Sequence, residues 1–96
     1  MGEKGYLMKF YLRFKVDTVG VSMVAGEQEA VSSVAAGRLM EPILKARLGK
    51  NEVHLTEASV TDVNGKVMAQ MLVASRRSPL GKTVYIPKWG TWVPVR

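Results

Sequence analysis

The sequence has no cysteine and a single histidine, His54. Without thiols there are no disulfides and no thiolate zinc sites. One imidazole among scattered carboxylates shows no metal-ligand spacing, so no metal and no cofactor is expected. His54 lies early in a strand-like stretch, with Glu52 and Glu57 near it in sequence. Nucleophilic or proton-transfer catalysis needs a nucleophile with a base and a positioning partner, and nothing beside His54 supplies that set. His54 therefore reads as a structural or surface residue, the chain as a non-enzyme, and no small-molecule substrate is inferred. Long apolar runs are also lacking: none approaches the roughly 18 residues of a membrane span. Met1-Gly2-Glu3-Lys4-Gly5-Tyr6 has no signal-peptide apolar run, and Tyr6 stands where a myristoylation signal wants serine or threonine. A soluble, intracellular, cytoplasmic chain with no membrane partner is the expectation.

Negative charge is scarce too, but only in one place. Residues 1–62 carry eight basic and eight acidic side chains. Residues 63–96 carry Lys66, Arg76, Arg77, Lys82, Lys88 and Arg96 and no acid, so the whole net charge of +6 lies in the last third. Such asymmetry marks contact with an anionic partner.

What is present fits one domain of 96 residues with a two-layer core. The stretch Glu27 to Gly49 is long and periodic enough for a helix. Glu27 and Glu29 fall in its expected first turn, Lys45, Arg47 and Lys50 at its end, as the macrodipole favours, and Gly49 suits a C-terminal cap. Val31, Val34, Ala35, Leu39 and Ile43 recur at helical spacing and are the expected core face. Gly37 costs about 1 kcal/mol against alanine in a helix interior, and the small run Ala35-Ala36-Gly37 admits close approach by another segment. Pro42 predicts a kink near Met40–Glu41 or a break with a second short helix.

Strands are read on both sides. Residues 7–17 alternate, with Met8, Phe10, Leu12, Phe14 and Val16 facing the core and Lys9, Tyr11, Arg13, Lys15 and Asp17 facing away. Val19 to Val24 reads as a second strand. Lys50-Asn51 opens a hairpin region in which Asn64-Gly65 signals a two-residue turn, so that Val63 opposes Lys66, Thr61 opposes Met68 and Val60 opposes Ala69. Ala58, Val60, Val67, Ala69, Met71 and Val73 then share the core face. Val53 and Leu55 have the opposite parity, which a bulge near Thr56–Glu57 reconciles. Ser75 to Lys82 reads as a loop. Thr83–Ile86 and Thr91–Val95 read as two short strands, kept to an edge or an extended arm by Pro87 and Pro94. The order ββ-α-ββ-(ββ) predicts an α+β fold: an antiparallel sheet of about four to six strands with one long helix across one face.

Two constellations carry functional expectations. Gly81-Lys82-Thr83 resembles the end of a phosphate-binding loop, but Arg76 stands where that loop needs glycine, and Pro79 removes a backbone donor; it is set aside. The second is Arg76, Arg77, Lys82, Tyr85, Lys88, Trp89, Trp92 and Arg96, with Lys9, Tyr11, Arg13 and Lys15 as a further basic face. Basic side chains neutralise phosphates and exposed rings stack on unpaired bases, so RNA or a single strand is the favoured partner; no basic recognition helix suggests a major-groove reader. The alternative is an assembly or inhibitor protein, in which Trp, Tyr and Arg form a hot spot for a protein partner, or edge strands and the C-terminal arm form a homo-oligomer. A third reading leaves the tryptophans closing the core and the arginines in solvent. A tight turn at Trp89-Gly90 pairs Pro87 with Trp92 and Ile86 with Val93. That makes Val93 and Val95 the core pair and turns Trp92 outward as a contact residue.

Overall fold

The computed structural model describes residues 6–95. The five strands are β1 (Met8–Val16), β2 (Met23–Ala30), β3 (Leu55–Thr61), β4 (Val67–Arg77) and β5 (Thr83–Pro94), with helix α1 (Ser33–Leu48) and a 3-10 segment (Gly49–His54) between β2 and β3. All neighbours pair antiparallel in the order β2-β1-β3-β4-β5, and α1 lies across one face, so the fold is a small α+β domain. Among the described residues, no helix is long and apolar enough to cross a membrane.

The alternation of β1 sets the layers. Phe10, Leu12, Phe14 and Val16 are buried beneath α1, together with Leu55, Ala58 and Val60 of β3 and Ala69 and Met71 of β4; Met8, expected in the same row, is 50% exposed at the start of the strand. Strand β3 keeps this face because it carries a bulge. Lys15 pairs with Glu57 but Val16 with Leu55, leaving Thr56 extra, as the change of parity requires. The β3–β4 connection differs from expectation. Val60 does oppose Ala69, but Thr61 opposes Val67. The loop has three residues, Val63-Asn64-Gly65, closed by hydrogen bonds from Gly65 N–H to Asp62 O and from Asp62 N–H to Lys66 O. Asp62 Oδ1 accepts from the backbone N–H groups of Asn64 and Lys66 at 2.8 and 3.0 Å, and this side-chain scaffold outweighs the two-residue alternative.

The helix begins six residues later than expected, at Ser33, and its face is turned. Ser32 is the N-cap, accepting the Ala35 N–H at 3.1 Å. Residues 17–22 form a loop, and Glu27 and Glu29 belong to β2, opposite Tyr11 and Lys9. Strand β2 bulges where Leu12 pairs with Gly26 and Arg13 with Val24. The buried residues of α1 are Ala36, Gly37, Met40, Leu44 and Leu48, whereas the expected core residues Val31, Leu39 and Ile43 are exposed. Two apolar stripes lie one residue apart on this helix, and the one containing Gly37 is buried. Pro42 sits inside a continuous helix, with no break and no second helix. The exit is as expected, with Lys45 and Arg47 in the last turn and Gly49 N–H bonded to Lys45 O. The chain then enters the 3-10 segment instead of a hairpin. His54 closes that segment, its Nδ1 2.9 Å from Asp17 Oδ1, while Asp17 N–H donates to His54 O. Both bonds tie the end of β1 to the start of β3.

Candidate nucleic-acid interface

Strands β4 and β5 form one long hairpin rather than a strand, a loop and a second hairpin. Near its base the β4 register is Ala69 to Pro94, Gln70 to Val93 and Met71 to Trp92; further out it is Val73 to Pro87 and on to Arg77 opposite Thr83. Four residues, 88–91, therefore lie opposite the single Leu72. The turn signal at Trp89-Gly90 is real, with Gly90 at φ +87°. It makes a wide bulge in a continuous strand, not a reversal of the chain. The bulge is pinned to the helix: Glu41 accepts from Gly90 N–H at 2.7 Å through Oε1 and from Trp92 Nε1 at 3.2 Å through Oε2.

This geometry corrects the expectation for Trp92. Because the bulge absorbs the turn, Trp92 pairs with Met71 on the core face and is only 4% exposed. Val93 and Val95, the expected core pair, are exposed instead. The indole lies against the backbone of α1, and a Cβ built on Gly37 would meet its ring atoms at 2.5 and 2.9 Å. Gly37 is thus the floor on which Trp92 rests. Trp89 is half-buried: its Nε1 donates to Glu52 Oε1 at 2.9 Å, and Lys45 Nζ lies 5.3 Å from its ring centroid. Neither tryptophan is free to stack on a base.

Beyond the bulge the hairpin leaves the body. Strand β3 pairs with β4 only as far as Gln70, and no residue from 72 to 91 is buried. The molecule measures 57 × 24 × 20 Å, and its radius of gyration of 14.3 Å exceeds the roughly 13 Å of a compact 100-residue domain. The outer ribbon carries Arg76 opposite Val84, Arg77 opposite Thr83 and Tyr85 opposite Ser75. Cross-strand partners share a face, so Arg77 and Tyr85 lie on one side and Arg76 on the other. Lys82 closes the tip and Lys88 stands at the bulge, all of these cations exposed. Lys66 is at the opposite end of β4, and Arg96 lies outside the described residues.

The tip repeats the architecture of the β3–β4 loop. Ser78 N–H donates to Lys82 O at 2.7 Å, Gly81 N–H to Ser78 O at 2.9 Å, and Lys82 N–H to Ser78 Oγ at 3.2 Å. Gly65 and Gly81 have φ of +84° and +83°, a conformation cheap only for glycine. Pro79 and Leu80 form the apex, and Leu80 is 88% exposed. Sequence reasoning missed these apex residues. The available signal was the shared pattern of Asp62-Val63-Asn64-Gly65-Lys66 and Ser78-Pro79-Leu80-Gly81-Lys82, each with a small side-chain acceptor three residues before glycine.

The second basic row is not joined to the arm. Lys9, Tyr11, Arg13 and Lys15 do face away from α1, but strands β3 and β4 separate them from β5. Two of the three cations also face a carboxylate. Lys9 Nζ is 3.3 Å from Glu27 Oε2, and hydrogen bonding and charge from Glu27 raise the Lys9 pKa above its ordinary value. Lys15 opposes Glu57, and Arg13 Nε donates to Ser22 Oγ at 3.0 Å. The chain matches no known protein family, no curated protein and no solved structure.

Proposed function

We propose that this protein is a non-enzymatic nucleic-acid-binding module that applies the outer β4–β5 ribbon to a duplex groove. The carrying observation is the arm itself: two strands projecting from the body, bearing Arg76, Arg77 and Lys82 with no carboxylate on it. Cations on such an arm neutralise phosphates and release counterions, and a two-stranded ribbon is a shape that a duplex groove admits. The single-strand preference loses its support, since Trp92 is a core residue and Trp89 is tied to Glu52.

Fluorescence anisotropy with labelled duplex and single-stranded oligonucleotides over a salt series tests the reading. Three phosphate contacts predict a log–log salt slope of about −3. No binding to any oligonucleotide at low salt sinks it. One observation favours a second reading, a protein that self-associates or docks on a protein partner. Leu39 and Ile43, four residues apart on α1, are 56% and 46% exposed. The sheet edges are poorer candidates for that role, because Pro87 and Pro94 interrupt β5 and a bulge with Glu27 and Glu29 protects β2. Light scattering at high concentration separates the two: a strict monomer removes self-association through the α1 stripe.

A further inference from the structure

We infer that Pro79-Leu80 at the arm's tip is a wedge that enters between two stacked base pairs of DNA from the minor groove and kinks the duplex. The inference rests on the nucleic-acid reading of the arm and adds what the tip does there. An apolar side chain 88% exposed at the far end of a charged arm gains nothing for folding. Its presentation is nonetheless rigid. Ser78 bonds Lys82 through both its backbone N–H and its side-chain oxygen, Gly81 N–H closes the turn on Ser78 O, and Pro79 fixes its own φ. A preorganised apex loses little freedom on docking.

The surroundings of the apex select the ligand. Lys82 follows the loop directly, and Arg77 and Arg76 occupy the last two positions of β4. An apolar point ringed by cations complements a groove floor of base edges between two phosphate rails. Leucine and proline are among the wedges that unstack a base step and bend DNA towards the major groove, and narrow minor grooves attract arginine. With five residues in each outer strand, 73–77 and 83–87, the arm reaches about 17 Å beyond the bulge before the loop. That is enough to span a groove depth of about 7.5 Å. A lipid surface fits less well, because one leucine offers far less apolar area than the single myristoyl chain that is itself only a marginal anchor. Flexible pyrimidine–purine steps are the cheapest to kink, so a TA step is the preferred target.

The test uses the full chain and a duplex of about 30 bp with a central TA step, labelled at both ends for energy transfer. Wild-type protein is expected to bind and to bend the duplex by an angle within about 20–90°. Leu80→Ser, at a position outside the core, is expected to bind within a few-fold of wild type while the bend is lost. The double variant Arg76→Gln, Arg77→Gln is expected to lose binding. Wild-type binding to a duplex that stays straight, or bending retained by Leu80→Ser, overturns the wedge and leaves the arm reading standing. Binding confined to single strands also overturns it. Binding to no nucleic acid, with or without binding to vesicles of equal parts phosphatidylcholine and phosphatidylserine, overturns both.

Discussion

The two ends of the β4–β5 ribbon are made from the same strands and do opposite things. At the base, Met71 and Trp92 are buried as a pair, and Trp92 closes the core against Gly37. Beyond the bulge at 88–91, only Val73 still packs against the core, and the strands carry arginine on both faces. The bulge is the boundary. By placing four residues opposite Leu72 it turns one end of β5 into the helix and lets the other run free, with Glu41 holding the joint. An arm can be rich in charge and poor in core because its foundation is anchored elsewhere, and local stability is drawn from those few anchoring contacts.

Breaking the base should cost the most. Trp92→Ala removes a buried indole and leaves a cavity over α1, so a loss of about 3–5 kcal/mol is expected in urea unfolding. A loss under about 1 kcal/mol would mean that Trp92 is not part of the core. Gly37→Ala comes next and sharpens the comparison. At an ordinary helical position the change gains about 1 kcal/mol. Here the new methyl meets the Trp92 ring, and overpacking of about 1–3 kcal/mol should make the change destabilising. In a Trp92→Ala background the same substitution should become stabilising. That reversal of sign in a double-mutant cycle is the signature of direct contact, and additive effects would rule it out.

Glu41→Ala attacks the joint itself. It strips an acceptor from Gly90 N–H and Trp92 Nε1, the first bond exposed and the second part-buried, and together they are worth about 1–2 kcal/mol after solvent competition. Hydrogen exchange should show the amide of Gly90 losing protection while those of β1 keep theirs. Uniform protection across the chain would show that Glu41 does not hold the bulge.

The legible parts of this fold were those governed by one local signal. The alternation of β1 from Phe10 to Val16, the parity change at Thr56, the cap at Gly49 and the edge prolines of β5 each follow from a single rule and stand as read. The helix face was not legible, because two apolar stripes compete and the deciding contact comes from Trp92, fifty-five residues beyond Gly37 in sequence. Glycine in the helix and tryptophan in the strand were both visible, each as an anomaly, but only the fold pairs them. The start of the helix was misplaced because acidic residues in a first turn and acidic residues facing lysine across a strand look alike. Ser32 was the better marker. Within the candidate site, the arginines were found by charge. The arm that carries them was not, since Trp89-Gly90 offers a turn signal that a reversal and a bulge satisfy equally well.

The smallest expected effect on stability falls at the free end of the ribbon. Arg77→Gln changes an exposed side chain that opposes Thr83 and has no hydrogen-bond or ion-pair partner among the described contacts. Substitutions of this kind stay within about ±0.5 kcal/mol, so urea midpoints for wild type and variant should superimpose. The consequence for binding differs in kind. If Arg77 neutralises a phosphate, its loss weakens binding to every duplex alike and lowers the magnitude of the salt slope by about 1. Arg13→Gln, on β1 and separated from β5 by β3 and β4, is the control, and the salt slope should stay at the wild-type value. Equal slopes for Arg77→Gln and wild type would show that Arg77 makes no phosphate contact. A reduced slope for Arg13→Gln would move the interface to the open sheet. The two results together would reverse the contrast between the two ends, leaving Arg77 as solvated strand and the body as a binding surface.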